Sequence, residues 1–374
     1  MRELASGSAW AVGVLLLAVW AQRMPASAPA TRPAARKKPL RETVGVTHVA
    51  GKYHLTRKDF LNEGADEILA LGSRVIKLYL FKPSTNYPFN TRWPRVSSLV
   101  ELARARPYAA VFAKPFKTYI LTTYSLGRRE HYWIEGVTKS QKADETRQFH
   151  ELAKHLLVTY RGTGKTFVLQ HWEGDWAARG NFNAKADPKP VAFKGMIEWL
   201  NARQEGVSRA RAEVGQKGVR VYHAAEVNRV VASMRKGRPG VVNEVLPRTR
   251  LDLVSYSAWD GQDDPKTLRA ALDFIASKMP DSRPFGDKNV YVGEFGKPEN
   301  EFGQKKVRAT VQGVVEVAVD WGCPYVVYWQ LYCNEPRRRP VSSNADVRGF
   351  WLIRPDGSRS GTWHFLRGLF ERGG

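Results

Sequence analysis

The chain has 374 residues, of which 43% are hydrophobic and 25% charged, with only two cysteines. Those proportions suit a folded globular protein and exclude a disulfide-stapled miniprotein, a collagen-like repeat and a disordered polyelectrolyte. The formal net charge of +23 speaks to partners and solubility, not to fold.

The amino terminus reads as a targeting segment. Residues 10–21 (WAVGVLLLAVWA) are an uninterrupted apolar run preceded by Arg2. Such a run is long enough for the core of a signal peptide and short for a membrane span. Small residues place cleavage after Ala21 or after Ala28. Residues 1–28 are thus expected to be a signal peptide, or a short anchor if left uncleaved, the one case in which a membrane is a partner. Residues 29–40 are Pro/Ala-rich and basic, a linker composition. The expected location is secreted, periplasmic or cell-surface. The basic residues are scattered rather than gathered in one block, so nucleic acid is not an expected partner. An acidic polysaccharide fits an exported basic protein better.

From residue 41 to 374 strand and helix patterns alternate without a break. Apolar strands are expected at 44–50, 75–80, 118–124, 166–173, 219–224, 253–258, 289–295 and 325–332. Helices are expected at 61–71, 97–111, 144–160, 193–214, 305–320 and 363–370, with further helical segments after the fifth and sixth strands. The helix after the sixth strand opens on Asp264-Pro265, a capping residue followed by proline at the first helical position. Most strands are near-continuous hydrophobic runs, the mark of parallel strands buried on both faces. Eight such units fit one closed (β/α)8 TIM barrel. An open doubly wound sheet would want a glycine-rich first turn, and none follows the first strand. Cys323 and Cys333 lie at opposite ends of the eighth strand, beyond bridging distance, and are expected as free thiols. A monomer is expected.

In such a barrel, chemistry sits at the carboxyl ends of the strands. Strand four runs into His171-Trp172-Glu173-Gly174-Asp175-Trp176, and strand seven into Gly293-Glu294-Phe295-Gly296. Two glutamates facing each other across the mouth are what glycosidic cleavage needs, one to protonate the leaving oxygen and one to attack or activate water. Glu173 and Glu294 are the expected catalytic pair; Trp172 and Trp176 flank Glu173 and would raise its pKa by desolvation, and Tyr256 and Lys77 are candidate partners of Glu294. Trp329, Trp259 and Trp176 are candidate sugar platforms. Asp175, His171, His223 and Glu226 are candidate substrate hydrogen-bonders, Asp175 also a reserve acid. No cofactor is expected. The stretch Gly162-Thr163-Gly164-Lys165-Thr166 lacks the spacing and position of a phosphate loop, and Arg337-Arg338-Arg339 reads as a solvated basic loop.

These residues together resemble clan A of the glycoside hydrolases, the retaining (β/α)8 enzymes. The resemblance covers the chain from about residue 41 onward. It implies an acid/base at the end of strand four (Glu173) and a nucleophile at the end of strand seven (Glu294). It also implies a strand-six tyrosine on the nucleophile (Tyr256) and a strand-eight tryptophan under the cleaved sugar (Trp329). The closing stretch from Gly349 to Gly357 (GFWLIRPDG) is similar to the clan's ending. The chain departs from the pattern where Trp172 replaces the asparagine before the acid, where Lys77 replaces a strand-two arginine, and where no histidine ends strand three.

Two other functions stay open on sequence. His171, Glu173, His223, Glu226 and Glu294 include the donor types of a metal-dependent sugar isomerase. A barrel that binds carbohydrate without cleaving it would carry the same aromatics.

Overall fold

The computed structural model describes residues 38–372. The expected signal segment and most of the linker lie outside these residues. Eight strands close into an all-parallel barrel in chain order: β1 Val44–Thr47, β2 Val75–Leu80, β3 Thr118–Thr123, β4 Thr166–Gln170, β5 Arg220–Val227, β6 Leu253–Ser257, β7 Val290–Phe295 and β8 Val326–Tyr328. The expected (β/α)8 TIM barrel is the fold observed. A short 3-10 turn, Leu40–Glu42, leads into β1, so the folded unit takes in the last expected linker residues. Among the described residues no helix is long and apolar enough to cross a membrane. Cys323 and Cys333 are buried and unbridged, as their separation requires.

The expected helix at 97–111 is two, Leu99–Arg104 and Arg106–Ala113, with an extended break at Ala105 (φ −54°, ψ 136°). Pro107 is the cause: its ring removes a backbone donor and collides with the preceding turn, so it fits only at the start of a new helix. The helix Pro265–Lys278 begins as expected, with Asp264 accepting from the amides of Lys266 and Thr267. Its face of Leu268, Ala271, Leu272 and Ile275 is fully buried against the barrel, and each large side chain there contributes about 1.5–3 kcal/mol.

Period-two alternation splits the buried residues in two. Val75, Ile120, Val168, Tyr222, Leu253 and Tyr291 form one cluster, the barrel interior. Leu78, Leu169, Val221, Val254 and Val292 belong to a second, larger cluster between the strands and the helices. This alternation decides which strand-end side chains reach the mouth.

A buried ion pair ties the helices Lys139–Thr159 and Pro190–Val214 together behind β3. Arg203 donates to Glu145 at 2.6 Å and to the Thr123 carbonyl at 3.1 Å, and both side chains are essentially without solvent. Gly206 lets the helices meet, because a Cβ there would stand 2.4 Å from the Thr146 carbonyl oxygen. Removing one partner of such a pair leaves the other charge uncompensated. Glu145→Ala is therefore expected to cost about 3–5 kcal/mol in urea unfolding; a loss below about 1 kcal/mol would show that the pair is dispensable.

Candidate active site

The interior positions nearest the carboxyl end of the barrel are polar. Continuing the alternation from the apolar cluster puts Lys77 on β2, Thr122 on β3, Gln170 on β4, Glu226 on β5, and Ser255 and Ser257 on β6 inside the barrel on its carboxyl side. By the same rule Glu294 should point outward, since Tyr291 and Gly293 face in. A register shift in β7 between Val292 and Phe295 turns it into the barrel. Gly293 is required beside it: a Cβ there would stand 1.7 Å from the Ser255 hydroxyl and 2.9 Å from Glu226.

Lys77 is the hub. Its ammonium donates to Glu294 Oε1 at 2.8 Å, to Glu226 Oε2 at 3.0 Å and to the Gly293 carbonyl at 3.2 Å. Burial opposes its charge, but Glu226 and Glu294 outweigh burial and hold its pKa above the usual lysine value. Glu226 accepts from four groups: Lys77, Gln170 Nε2 (2.9 Å), Ser255 Oγ (2.6 Å) and the Glu173 amide (3.0 Å). Gln170 is itself fixed by the Tyr291 hydroxyl, which donates to its carbonyl oxygen.

Glu173 follows β4 with its backbone in the left-handed region, φ 31° and ψ 72°. That conformation is costly for any residue with a side chain. Two anchors hold it: Glu226 takes the Glu173 N–H, and the Tyr124 hydroxyl accepts from Trp172 N at 3.0 Å. The result carries the Glu173 carboxyl over the mouth toward β6 and β7.

There Ser257 joins the two glutamates. Its hydroxyl oxygen lies 2.9 Å from Glu173 Oε1 and 3.2 Å from Glu294 Oε2. A hydroxyl has one proton, so it donates fully to one carboxyl only. The bridge is complete when the other carboxyl is protonated and donates to Oγ. The environments decide which. Burial, and then the charges of Glu294 and Glu226, push Glu173 well above the usual carboxylate range. Burial also raises Glu294, to about 7, but the Lys77 ammonium opposes the rise. Glu173 thus holds its proton more tightly, and Glu294 is the carboxyl that ionises first.

Several expected contacts are not made. The Tyr256 hydroxyl donates to Asp260 at 2.6 Å, not to Glu294, because Tyr256 occupies the outward parity of β6 while Ser255 and Ser257 point in. His223 is on the outward face of β5, against Phe149, with both ring nitrogens unpartnered among the described residues; burial holds it neutral. The strand continues past it to Val227, so Glu226 is a strand residue, not a loop residue. Asp175 is buried and engaged with backbone rather than open at the mouth. Its two oxygens accept from the amides of Val241 (2.9 Å) and Asn228 (3.0 Å), pinning the loop after β5, and burial raises it to about 6. His171 is buried too: Nε2 accepts from the Glu226 amide at 3.1 Å, and burial lowers its pKa to about 3. It positions Glu226 rather than substrate. The metal-ligand set therefore does not converge, with His223 outside the barrel, His171 committed to an amide and an ammonium between two of the glutamates.

The aromatic candidates fare unequally. Trp329 directly follows β8, its amide donating to the Phe295 carbonyl at 2.9 Å beside the end of β7, and it retains 8% exposure. Trp176 is partly exposed and carries the Arg229 guanidinium 4.8 Å from its ring centre, so a cation already covers ring surface meant for sugar. Trp259 packs edge-on against Phe350 at 5.7 Å. Thr47 and Thr122 hydroxyls are fully buried inside the barrel without partners among the described residues. Sequence reading missed Gln170, Ser255 and Ser257. The signal was present: small polar residues at alternate positions of an otherwise apolar strand.

No protein-family model matches the chain, and neither does any curated protein. Solved structures do. An exo-beta-1,4-mannosidase from Opitutaceae bacterium strain TAV5 superposes with a TM-score of 0.54 at 14% identity, over 88% of this chain and 59% of its own. A GH5_18 enzyme from Bifidobacterium longum subsp. longum ATCC 55813, in complex with Manb1-4GlcNAc, gives 0.55 at 12% identity, over 88% and 78%. A glycoside hydrolase 5 lichenase from Caldicellulosiruptor sp. F32, in complex with cellotetraose, gives 0.52 at 9% identity, over 94% and 100%. What is shared is the fold. The chain spans about three-fifths of the length of the mannosidase.

Proposed function

We propose that this chain is a glycoside hydrolase that cleaves a β-linked oligosaccharide with retention, using Glu173 as acid/base and Glu294 as nucleophile. The observation that carries the reading is the Ser257 bridge. One hydroxyl touching both carboxyls limits the bridged oxygens to at most about 6 Å apart, short of the ~6.5–9.5 Å of inverting enzymes and compatible with the ~5–5.5 Å of retaining ones. The protonation states fit the roles: a neutral Glu173 can give its proton to the leaving oxygen, and an ionised Glu294 can attack the anomeric carbon. The glycosyl–enzyme ester so formed is hydrolysed by a water that Glu173, now ionised, deprotonates. The shared fold with glycosidases acting on β-linked sugars supports the same reading.

The test is the anomer released. Incubated with aryl β-mannosides and β-glucosides and followed by proton NMR, the enzyme should first release the β-anomer; an initial α-anomer would overturn retention. The same substrate gives the pH profile. Glu294 must be ionised, so kcat/KM should fall tenfold per unit as pH drops below about 7. Glu173 must be protonated, and its upward shift sets the alkaline limb. An acid limb near the ordinary carboxylate value would contradict the buried site.

A further inference from the structure

One large cavity lies away from the mouth. It lies at the opposite, amino-terminal end of the barrel, where Thr118, Thr166 and Arg220 begin β3, β4 and β5. Its volume is about 1110 Å³, and it adjoins a second of about 550 Å³ through Ser208, Arg211, Asp252 and Arg283. The larger is lined by five cations, Lys38, Lys117, Arg211, Arg220 and Arg283, against two acids, Glu42 and Asp252. The smaller adds Arg248 and Arg250 against Asp281. Asp252 is already spent on Arg211 at 2.9 Å. Lys117, Arg220 and Arg283 are exposed and make no ion pair among the described residues.

Like charges gathered on a concave surface without counter-ions raise the local potential and draw anions in. The joined cavities exceed what one phosphate or sulfate would fill and match a ligand of several charged units. The rings present argue for the kind of unit. Tyr222 packs edge-on against Phe285 at 4.9 Å, Tyr325 lies under Lys38 at 5.0 Å, and both tyrosines are buried. Neither leaves a free face on which a nucleobase would stack, as single-stranded nucleic acid requires. We infer that the base of the barrel is a binding groove for a linear acidic glycan, one carrying sulfate or carboxylate groups, separate from the catalytic mouth. It would anchor the protein on a polyanionic chain and leave the mouth free.

The inference does not depend on glycosidase activity, and its test is binding. Titration calorimetry of the full chain with a heparin-derived hexasaccharide at low salt should show saturable binding that weakens as salt rises. The double variant Lys117→Ala/Arg283→Ala should weaken it about tenfold or more. Lys305→Ala/Lys306→Ala removes the same charge from the exposed start of the helix Glu299–Trp321 and should leave affinity unchanged, as should Glu294→Gln. Equal weakening by the two double variants would reduce the effect to net charge and overturn the site. Absence of binding would do the same, and tighter binding of a single-stranded DNA of equal charge at the base would overturn the glycan assignment. Circular dichroism checks that each variant folds; all four substituted cations are exposed.

Discussion

Replacing Glu294 by glutamine is expected to lower turnover of an aryl β-glycoside on the order of 10⁴-fold or more, while leaving the fold intact. The amide keeps the shape of the side chain but has no charge with which to attack the anomeric carbon. Lys77 keeps Glu226 as its partner, so no buried cation is stranded. Stability should move the other way. The folded-state pKa of Glu294 is raised to about 7, above the unfolded value of about 4.3. Its neutral form is thus favoured by folding: that contribution is complete below about pH 4.3 and is lost as pH rises through about 7. Glutamine cannot ionise, so the melting temperature of Glu294→Gln relative to the parent should rise between pH 5 and pH 8. Retained turnover would remove Glu294 from the mechanism, and retained turnover at the parental pH profile would leave the pair without a role.

The second large effect belongs to Lys77. Lys77→Met preserves much of the volume but leaves Glu226 and Glu294, both buried, without the cation they share. Breaking a buried pair in this way costs about 3–5 kcal/mol. Urea unfolding at pH 8 should show that loss. At pH 5, where protonation of Glu294 relieves part of the repulsion, the loss should be smaller. Lys77 lowers the pKa of Glu294, so the acid limb of kcat/KM should move above about 7 in the variant. A loss under about 1 kcal/mol with an unmoved acid limb would show that the ammonium is incidental.

Much of the site was legible because barrels place chemistry at strand ends. Glu173 and Glu294 were legible that way and Lys77 from the family resemblance, and the three converge. Most of the failures share one cause. A strand end was treated as a place where every polar residue reaches the mouth, whereas alternation sends half of them outward. Tyr256 and His223 have the outward parity and meet helices. Ser255, Ser257 and Glu226 have the inward parity and join the hydrogen-bond network around Glu173 and Glu294. Applied strand by strand, the rule recovers four of these five from the residues alone, since β5 was expected to end at Ala224, short of Glu226. Asp175 and His171 failed for another reason: each found backbone amides on a neighbouring loop, and a buried polar atom takes the partner that desolvation demands.

The amino-acid pattern by itself determined the architecture. Apolar runs of strand length alternating with amphipathic helices have few ways to bury both faces of a parallel sheet, and eight of them close. It also determined that two glutamates stand at the carboxyl ends of β4 and β7. Only the tertiary structure decided that these act as one unit. The inward turn of Glu294 depends on a register shift in β7. The reach of Glu173 depends on a left-handed backbone held by Glu226 from the neighbouring strand. The protonation states depend on Ser257, Lys77 and Glu226, contributed by three other strands. These are couplings between residues as many as 217 positions apart. Local sequence carries propensity and burial, but hydrogen bonds and charges depend on distance in space, which exists only once the barrel has closed.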